Sequence, residues 1–350
     1  MKQTVALLFG GKGEERAVSF RSAAAVFRHL DRERYAVIPI GIDRSGDFFI
    51  YNGDMSRIGQ ADFRKDTEHL QRTFPARLLS HSGFLCEDRL VAVDAVLPIL
   101  HGRGGEDGEI QGLLSAAGIP FVGCDAISSA VCFDKAYTKA VAEKVRVPMA
   151  AGLVFSEKTE PEAAYRAVYS AFPADQPLFV KPARQGSSFG ASVVHAAEDF
   201  KKCYDLARVY GRVLVEEYIG SKVELEVAML EREGELLFAG PGAITSAAPL
   251  YSYEEKYESR TCAAAVVTLE CAIREQVLSY ARALADALSL RGLARIDFFL
   301  TPEGQIYFNE VNTLPGFTET SLYPRLWEAQ GIPFTALLDI LIGEAIARFS

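Results

Sequence analysis

The chain lacks clustered cysteines, long apolar runs and basic runs, and each absence excludes a class of protein. Its six cysteines include no C-x-x-C pair, which argues against a disulfide framework and fits a reducing compartment. The apolar run in MKQTVALLFGG is too short for a signal peptide, and no stretch is long enough to span a membrane. A net charge of −9 without a basic run argues against phosphate-driven nucleic-acid binding. We expect a cytoplasmic protein that binds neither membrane nor nucleic acid.

Two common nucleotide-binding motifs are also missing. No segment matches the P-loop pattern G-x-x-x-x-G-K-[ST], and the glycines after the first predicted strand do not form G-x-G-x-x-G. A Rossmann-type dinucleotide site is therefore disfavoured. Gly10, Gly11 and Gly13 still separate a strand from a helix, where a ligand can approach the backbone or the chain can simply turn tightly.

The composition is that of an ordinary globular protein, with 350 residues, 49% hydrophobic and 24% charged. Apolar strand-like runs alternate with helical patterns in the first third, which predicts a wound α/β domain ending near residue 123. We interpret the polar, poorly periodic segment 44–89 as an insertion of little functional weight. A helix over residues 126–145 then leads into strand pairs, a helix over 197–209 and a long helix over 272–290.

The most informative pattern is a predicted β-hairpin formed by ARIDFFL (294–300) and IYFNEVN (306–312), closed by TPEGQ. If the loop is symmetric, we expect Asp297 directly opposite Glu310. Like charges across an antiparallel pair repel each other, so a positive group is expected between them. Asp, Glu and Asn oxygens suit Mg²⁺, which indicates nucleotide chemistry. The alternative is a half-exposed sheet whose acidic side chains face water.

Further segments offer groups for a phosphate ligand. FVKPARQGSSFGASVV places Lys181 at a strand end before a loop rich in glycine and serine, which can cover phosphate oxygens or be an ordinary flexible hairpin. Lys135 in VCFDKAYTK is a second candidate cation. Glu15 at the first strand-to-helix turn can bind an ammonium group or simply face solvent. His101, in the glycine-rich HGRGGEDG, is a catalytic candidate or a structural residue. The aromatic run PLYSYEEKYESR is either a mobile lid or a surface loop.

Eight segments occur in the order found in D-alanine:D-alanine ligases, and the chain resembles that family over nearly its whole length. The segments are GGKGEERAVS, HGRGGEDG, FDK, VKPARQGSS, VEEYI, YEEKY, RIDFF and NEVNTLPGFTETSLYP. The resemblance implies the ATP-grasp fold, with a wound N-terminal α/β domain (residues 1–123) and two α+β domains (124–216 and 217–350) that clamp ATP. It implies ligation of two D-alanines through a D-alanyl phosphate, for peptidoglycan precursor synthesis.

The resemblance also implies roles for individual residues. Two Mg²⁺ ions, with Mn²⁺ as an alternative, would be held by Asp297, Glu310 and Asn312. ATP would be bound by Lys135, Lys181, Ser188, Glu216, Glu217, Ile219, Glu224 and Lys256. Arg295 and the Gly316 amide would stabilise the tetrahedral intermediate. Glu15 and His101 would receive the first substrate's ammonium group, and Ser321 with the Leu322 amide would bind the second substrate's carboxylate. Ser187 and Tyr257 would link the lid to Glu15.

Some positions bear on specificity. Relatives that make D-alanyl-D-lactate lack the tyrosine found here as Tyr257, and those that favour D-serine tend to carry arginine in place of Leu322, so both positions favour D-alanine. Departures from the family pattern are Gly13 for serine, Ala17 for glutamate and a missing proline after Cys262. The alternatives are a D-alanine:D-serine or D-alanine:D-lactate ligase and, from another class, a non-catalytic ATP-binding regulator. The resemblance further suggests a homodimer.

Overall fold

The computed structural model describes residues 2–59, 62–78, 81–245, 263–267 and 269–349, which form three β-sheets with helices packed against them. The first sheet has the order β6-β5-β4-β3-β2-β1-β7. Its strands are β1 (Gln3–Gly10), β2 (Tyr35–Ile42), β3 (Phe48–Tyr51), β4 (Leu70–Leu78), β5 (His81–Cys86), β6 (Arg89–Ala92) and β7 (Ala95–Ile99). Strand β1 pairs in parallel with both β2 and β7, and helix α1 (Arg16–His29) packs on it. Because parallel strands are covered on both faces, β1 is almost continuously apolar.

The segment 44–89, interpreted above as an insertion, belongs to the sheet and core of this first domain. Strands β3 to β6 extend the sheet in antiparallel fashion, and the short turns between β3 and β4 bury Phe63. The Phe63 ring lies 5.3 Å from that of Phe9 and fills the space that a Cβ on Gly41 would need. The sequence pattern obscured this role because short 3₁₀ turns and half-exposed antiparallel strands carry little periodicity.

The predicted helix over residues 126–145 is two helices that divide at Asp134. Helix α2 (Glu109–Ala116) is followed by α3 (Ala126–Phe133) and α4 (Lys135–Lys144). Asp134 adopts an extended backbone, and its carboxylate accepts a hydrogen bond from the Ala136 amide at 3.0 Å. An aspartate at this position starts a new helix by capping its first amides. The cap thus fixes where Lys135 begins α4.

The second sheet, in the order β10-β9-β11-β8, is antiparallel throughout and carries two helices on one core. Its elements are β8 (Gly152–Phe155), α5 (Pro161–Ala171), β9 (Leu178–Pro182), β10 (Ser192–Val194), α6 (Phe200–Arg208) and β11 (Val213–Glu217). The predicted boundary between residues 216 and 217 therefore falls inside β11.

The third sheet has the order β14-β13-β12-β15-β16. Its elements, with the helices that follow, are β12 (Val223–Arg232), β13 (Glu235–Thr245), β14 (Ala263–Val266), α7 (Cys271–Ala287), β15 (Leu293–Leu300), β16 (Ile306–Asn312), α8 (Leu322–Ala329) and α9 (Phe334–Phe349). Helix α9 contacts α1 and β7, so the C-terminal helix packs into the core of the first sheet. Residues from both ends of the chain therefore pack in one core.

The predicted hairpin is β15 paired with β16. Asp297 lies directly opposite Glu310 as expected, but the symmetric loop is not the reason. Beside the turn the pairs are Leu300–Ile306 and Phe298–Phe308, a register that would continue to Asn309, and a shift at Asp297 brings Glu310 opposite it instead. The bulge leaves Asn309 without a partner residue in β15. A prediction that assumes a regular hairpin does not include such a bulge. The register that matters for the acidic pair is therefore set by a bulge and not by the turn alone.

No helix within the described part of the chain is long and apolar enough to cross a membrane.

Candidate active site

A cleft between the second and third sheets brings together nine of the residues that the sequence pointed to. The space between its walls is about 870 Å³, which includes volume open to solvent. The predicted residues that line it are Lys135, Lys181, Ser187, Ser188, Glu216, Glu217, Ile219, Glu224 and Glu310. Strands from both sheets meet here, so residues distant in sequence face a common space.

Three lysines enter this cleft from two elements, and each is paired with a carboxylate. Lys135, the first residue of α4, lies with its Nζ 3.0 Å from Glu310 Oε2 and donates to the Gln185 carbonyl at 2.8 Å. Lys181 of β9 lies 2.7 Å from Glu216 Oε2, and Lys139 contacts the other oxygen of Glu216. Sequence reasoning missed Lys139, although its position one helical turn after Lys135 puts both on one face of α4.

Glu216 was predicted to bind ATP, and its carboxylate pairs with Lys139 and Lys181. Burial favours the neutral acid, but Lys181 and Lys139 outweigh it and hold the pKa of Glu216 below its ordinary value. Burial in turn lowers the pKa of Lys181, which the Glu216 charge partly offsets. Glu216 and Lys181 thus stay ionised although both side chains are buried.

The two hairpin carboxylates are each held by a different cation. Arg295 of β15 donates from Nε and Nη2 to the two Asp297 oxygens at 2.8 and 2.6 Å. Asn312 Nδ2 donates to Asp297 Oδ2 at 3.0 Å, while Glu310 is paired with Lys135. The expected positive groups are therefore protein side chains as well as any bound metal ion.

Arg295 also lies 3.3 Å from Glu226 Oε1, a second carboxylate that sequence reasoning missed. Glu226 follows Glu224 by two residues in β12, so strand alternation could have placed both on one face. Burial would lower the pKa of Arg295, but Asp297 and Glu226 raise it well above its usual value. The guanidinium consequently stays charged and is held in one orientation.

The donor set at the hairpin fits a hard cation. Asp297 and Glu310 are directly opposite, and the amide of Asn312 adjoins Asp297. Within the described ranges there is no group of three or more His, Cys, Asp and Glu residues that could hold a metal ion by themselves. Two carboxylates and one amide leave several coordination positions for water or phosphate, which is how Mg²⁺ is usually bound.

The loop between β9 and β10 reaches the N-terminal domain. Ser187 and Ser188 both have positive φ, at 48° and 60°, which turns the loop sharply over the cleft. Ser187 Oγ donates to Glu15 Oε2 at 2.7 Å, and a Cβ on Gly186 would lie 2.3 Å from Glu15 Oε1. A side chain at residue 186 would therefore displace the Glu15 carboxylate, which the loop meets at the edge of the cleft.

His101 is buried beside the residues that follow β16. Its Nδ1 lies 3.0 Å from the Leu314 carbonyl, so Nδ1 carries the proton, and Nε2 lies 3.4 Å from Ser22 Oγ. Burial lowers the pKa of His101 to about 4, with a smaller contribution from the charge on Arg295. The imidazole is thus neutral near pH 7 and positions this part of the site.

Glu106 joins the glycine-rich loop to the same segment. Its Oε2 accepts from the Gly102 amide at 2.8 Å, and its Oε1 accepts from the Leu314 amide at 3.3 Å. Burial raises the pKa of Glu106, and the negative charge of Glu15 raises it further. The sequence singled out this loop, but it did not identify Glu106 as its anchor.

The segment after β16 presents backbone donors. Ser321 precedes α8, and its Oγ accepts from the Thr318 amide at 3.1 Å and lies 2.7 Å from Thr318 Oγ1. Leu322 opens the helix, so its amide has no acceptor within the helix. The Leu322 side chain is buried, and a Cβ on Gly242 would lie 3.1 Å from its Cδ2. Gly316 approaches Ser321 Oγ in the same turn.

The end of β11 closes the cleft opposite the lysines. Glu217 Oε1 accepts from the Ala151 amide at 3.0 Å. Lys222 Nζ donates to the Ile219 carbonyl at 2.9 Å and lies 4.8 Å from the centre of the Tyr218 ring. Lys222 was not predicted. Lys256 and Tyr257 lie outside the described residues, as does the whole aromatic run PLYSYEEKYESR that contains them.

Comparisons with known proteins match the chain along nearly its full length. Residues 4–124 match the family described as D-ala D-ala ligase N-terminus, and residues 141–343 match D-ala D-ala ligase C-terminus. A D-alanine–D-alanine ligase of Chlorobium limicola is 38% identical over 97% of this chain and 96% of its own length. One of Ruminiclostridium cellulolyticum is 36% identical over 99% and 96%. The solved structure of VanG D-Ala:D-Ser ligase from Enterococcus faecalis is 35% identical, with a TM-score of 0.88, and covers 99% of this chain and 100% of that chain.

Proposed function

Because this chain belongs to the D-alanine–D-alanine ligase family, with its ATP-grasp fold, we propose that it joins two D-alanines to D-alanyl-D-alanine and releases ADP and phosphate. One observation supports this most strongly. The opposed carboxylates Asp297 and Glu310 lie beside buried lysines, an arrangement suited to a metal nucleotide. The product is an intermediate suited to peptidoglycan precursor synthesis.

The chemistry follows from the weakness of a carboxylate as an acylating agent. The first D-alanine carboxylate attacks the γ-phosphorus of ATP, the bond to the β-phosphate oxygen breaks, and a D-alanyl phosphate and ADP form. The amine of the second D-alanine then attacks the acyl carbon, loses a proton and expels phosphate. Because anions must approach each other in the first step, fixed positive charges supply most of the catalysis.

We assign the lysines and the adjoining loop to ATP. Lys135 and Lys181 would bind the phosphates, and Ser188, in the loop between β9 and β10, would cover those phosphates. The adenine end would be bound by Glu216 and Glu217 of β11 and by Ile219, which follows that strand. Glu224 would bind the ribose. Lys256, which lies outside the described residues, remains a proposed phosphate ligand.

Asp297, Glu310 and Asn312 would hold Mg²⁺, with two ions proposed and Mn²⁺ as an alternative. When bound, the metal supplies positive charge that neutralises the phosphate oxygens. Arg295, fixed by Asp297 and Glu226, would stabilise the tetrahedral oxyanion together with the Gly316 amide. Guanidinium and amide donors held in place before the reaction need no reorganisation as charge develops.

Glu15 would bind the ammonium group of the first D-alanine, with His101 beside it. Ser187 links Glu15 to the phosphate loop, and Tyr257 would join the same link. Ser321 and the free amide of Leu322 would bind the carboxylate of the second D-alanine. We further propose three domains at residues 1–123, 124–216 and 217–350, a homodimer, and a cytoplasmic location.

A second candidate function is D-alanine:D-serine ligation, because the VanG D-Ala:D-Ser ligase shares the fold with a TM-score of 0.88. All phosphate and metal residues would serve either reaction. Leu322 favours D-alanine, since its buried apolar side chain adds no polar group at the second-substrate end. A D-alanine:D-lactate ligase is the third possibility within this chemistry.

The deciding experiment is mass spectrometry of the products formed from Mg-ATP and D-alanine, alone and with equimolar D-serine or D-lactate. Predominant D-alanyl-D-alanine with stoichiometric ADP is expected. A predominant D-serine or D-lactate product would retain the mechanism and overturn the specificity. Folded protein that binds ATP but forms no ligated product would overturn the enzymatic assignment in favour of an ATP-binding regulator.

A further inference from the structure

Glu216 joins two lysines that come from different elements. Its Oε1 contacts Lys139 Nζ from α4, and its Oε2 lies 2.7 Å from Lys181 Nζ of β9. The three residues are only 3%, 7% and 6% exposed. A carboxylate at this depth needs compensation at both oxygens, because an unpaired buried charge is strongly unfavourable.

Lys139 and Lys135 share one face of α4 but serve different carboxylates. Lys135 pairs with Glu310 of the β15–β16 hairpin, whereas Lys139 pairs with Glu216 of β11. The four-residue spacing places the two ammonium groups side by side along the cleft. One helix therefore supplies a cation to each of the two acidic positions.

Lys181 is the lysine whose availability depends on this arrangement. Its Nζ pairs with Glu216 and lies 3.4 Å from Asn309 Oδ1, the bulge residue of β16. An ammonium group has three donors, so one remains for a phosphate oxygen. Without Lys139, Glu216 would have Lys181 as its sole lysine partner. The negative charge on Glu216 Oε1 would then be left without its lysine and would repel an incoming phosphate.

We propose that Lys139 is a positioning residue for nucleotide binding, which neutralises one oxygen of Glu216 and so leaves Lys181 able to bind a phosphate. The inference rests on the proposed function, because it takes Lys181 as a phosphate ligand. Although Lys139 lines the cleft, the proposal assigns its effect to Glu216 and not to direct contact with the nucleotide.

The first test is the affinity for ADP, with Mg²⁺ present, of the wild type and of Lys139→Met by isothermal titration calorimetry. Loss of one buried charge pair is expected to weaken binding about tenfold, equivalent to about 1.4 kcal/mol. In steady-state assays the KM for ATP should rise while kcat changes little, since uniform binding is lost. Lys139→Arg should restore most of the affinity.

Lys144→Met is the matched control, because it removes the same charge from an exposed position on the same helix. It should bind ADP as the wild type does. An equal loss of affinity in both variants would show that only net charge matters and would overturn the proposal. Wild-type affinity in Lys139→Met would overturn it as well.

The second test places Lys139→Met in a Glu216→Gln background. If Lys139 acts only through Glu216, the added substitution should change ADP affinity by less than about twofold, since no carboxylate remains to be neutralised. A further tenfold loss would instead show direct contact with the nucleotide. This background also removes the unpaired buried charge, so it remains informative if Lys139→Met alone does not fold.

These outcomes are separable from the proposed function. Ligation of D-alanine by the wild type is measured first, whereas the inference is read from ADP binding alone. Protein that binds ADP but ligates nothing would contradict the proposed function and leave the role of Lys139 decided by the affinities.

Discussion

Asp297 and Glu310 lie directly opposite each other in the β15–β16 pair, and each is neutralised by a cation from a different element. Arg295 binds Asp297 from the same strand, while Lys135 reaches Glu310 from the start of α4. Two like charges thus coexist in a half-buried hairpin. A metal ion that displaced these contacts would gain two carboxylates already held at the correct positions.

The first prediction concerns Asp297. Asp297→Asn keeps the size of the side chain but removes its charge, so it should weaken metal binding and lower kcat/KM by about 10²-fold or more, as loss of a main electrostatic group does. The measurement is ADP release across a range of Mg²⁺ concentrations. Asp286→Asn, at an exposed position of α7, is the control. Unchanged Mg²⁺ dependence in Asp297→Asn would contradict the metal assignment.

The second prediction concerns the contact between Ser187 and Glu15. Ser187→Ala removes a 2.7 Å hydrogen bond to a carboxylate, worth about 1.5–3 kcal/mol. The loop between β9 and β10 should then be held less firmly against Glu15, which would bind the first D-alanine. The KM for D-alanine should therefore rise. Ser170→Ala, on the exposed face of α5, should behave as the wild type. An unaltered KM would show that the contact plays no part in substrate binding.

The third prediction concerns the pH dependence of stability through Glu106. Burial and the Glu15 charge raise its pKa in the folded state, so the folded protein binds the proton more tightly than the unfolded chain. The stabilisation is full below the ordinary pKa of glutamate and is lost as pH rises towards the folded value. Glu106→Gln cannot titrate. Its Tm relative to the wild type should therefore increase steadily as pH rises from about 4.5 towards neutral.

The comparison uses thermal unfolding followed by circular dichroism, with the exposed Glu109→Gln as control. The Tm difference between Glu109→Gln and the wild type should not vary with pH. A constant difference between Glu106→Gln and the wild type would show that the pKa of Glu106 is not raised by folding.

The fourth prediction concerns Asp134, a fully buried carboxylate between α3 and α4. It accepts from Arg184 Nε at 2.7 Å and Arg212 Nη1 at 3.2 Å, and it also caps α4. Asp134→Ala removes the cap of α4 and the acceptor of two guanidinium groups that water can still reach, so it should lower the free energy of unfolding by about 1–2 kcal/mol. Urea denaturation measures this. Glu143→Ala, exposed on α4, should change it by less than about 0.5 kcal/mol.

Sequence reasoning identified nine of the residues that line the cleft, because these groups lie in short segments with clear chemistry. Lys181 at a strand end and the alternating residues of the hairpin could be placed from local periodicity. Lys139, Glu226 and Lys222 were missed although spacing placed them beside predicted residues. Their partners come from other segments, so nothing local marked them as more than exposed charges.

The segment 44–89 shows the opposite difficulty. Its strands join the first sheet through antiparallel pairing with β2 and with one another. Phe63 is buried only because the chain folds back over Gly41. Such a contact depends on sequence-distant packing and leaves no periodic pattern behind.

Local order and residue type are enough to predict the wound α/β character of the first part of the chain, the acidic hairpin and the family to which the chain belongs. The fold is needed to show which cation neutralises which carboxylate, how the bulge at Asn309 brings Glu310 opposite Asp297, and how Glu106 anchors two loops. The reason is physical. Periodicity fixes which face a side chain occupies, but a buried charge chooses its partner from whatever distant element packing brings within reach.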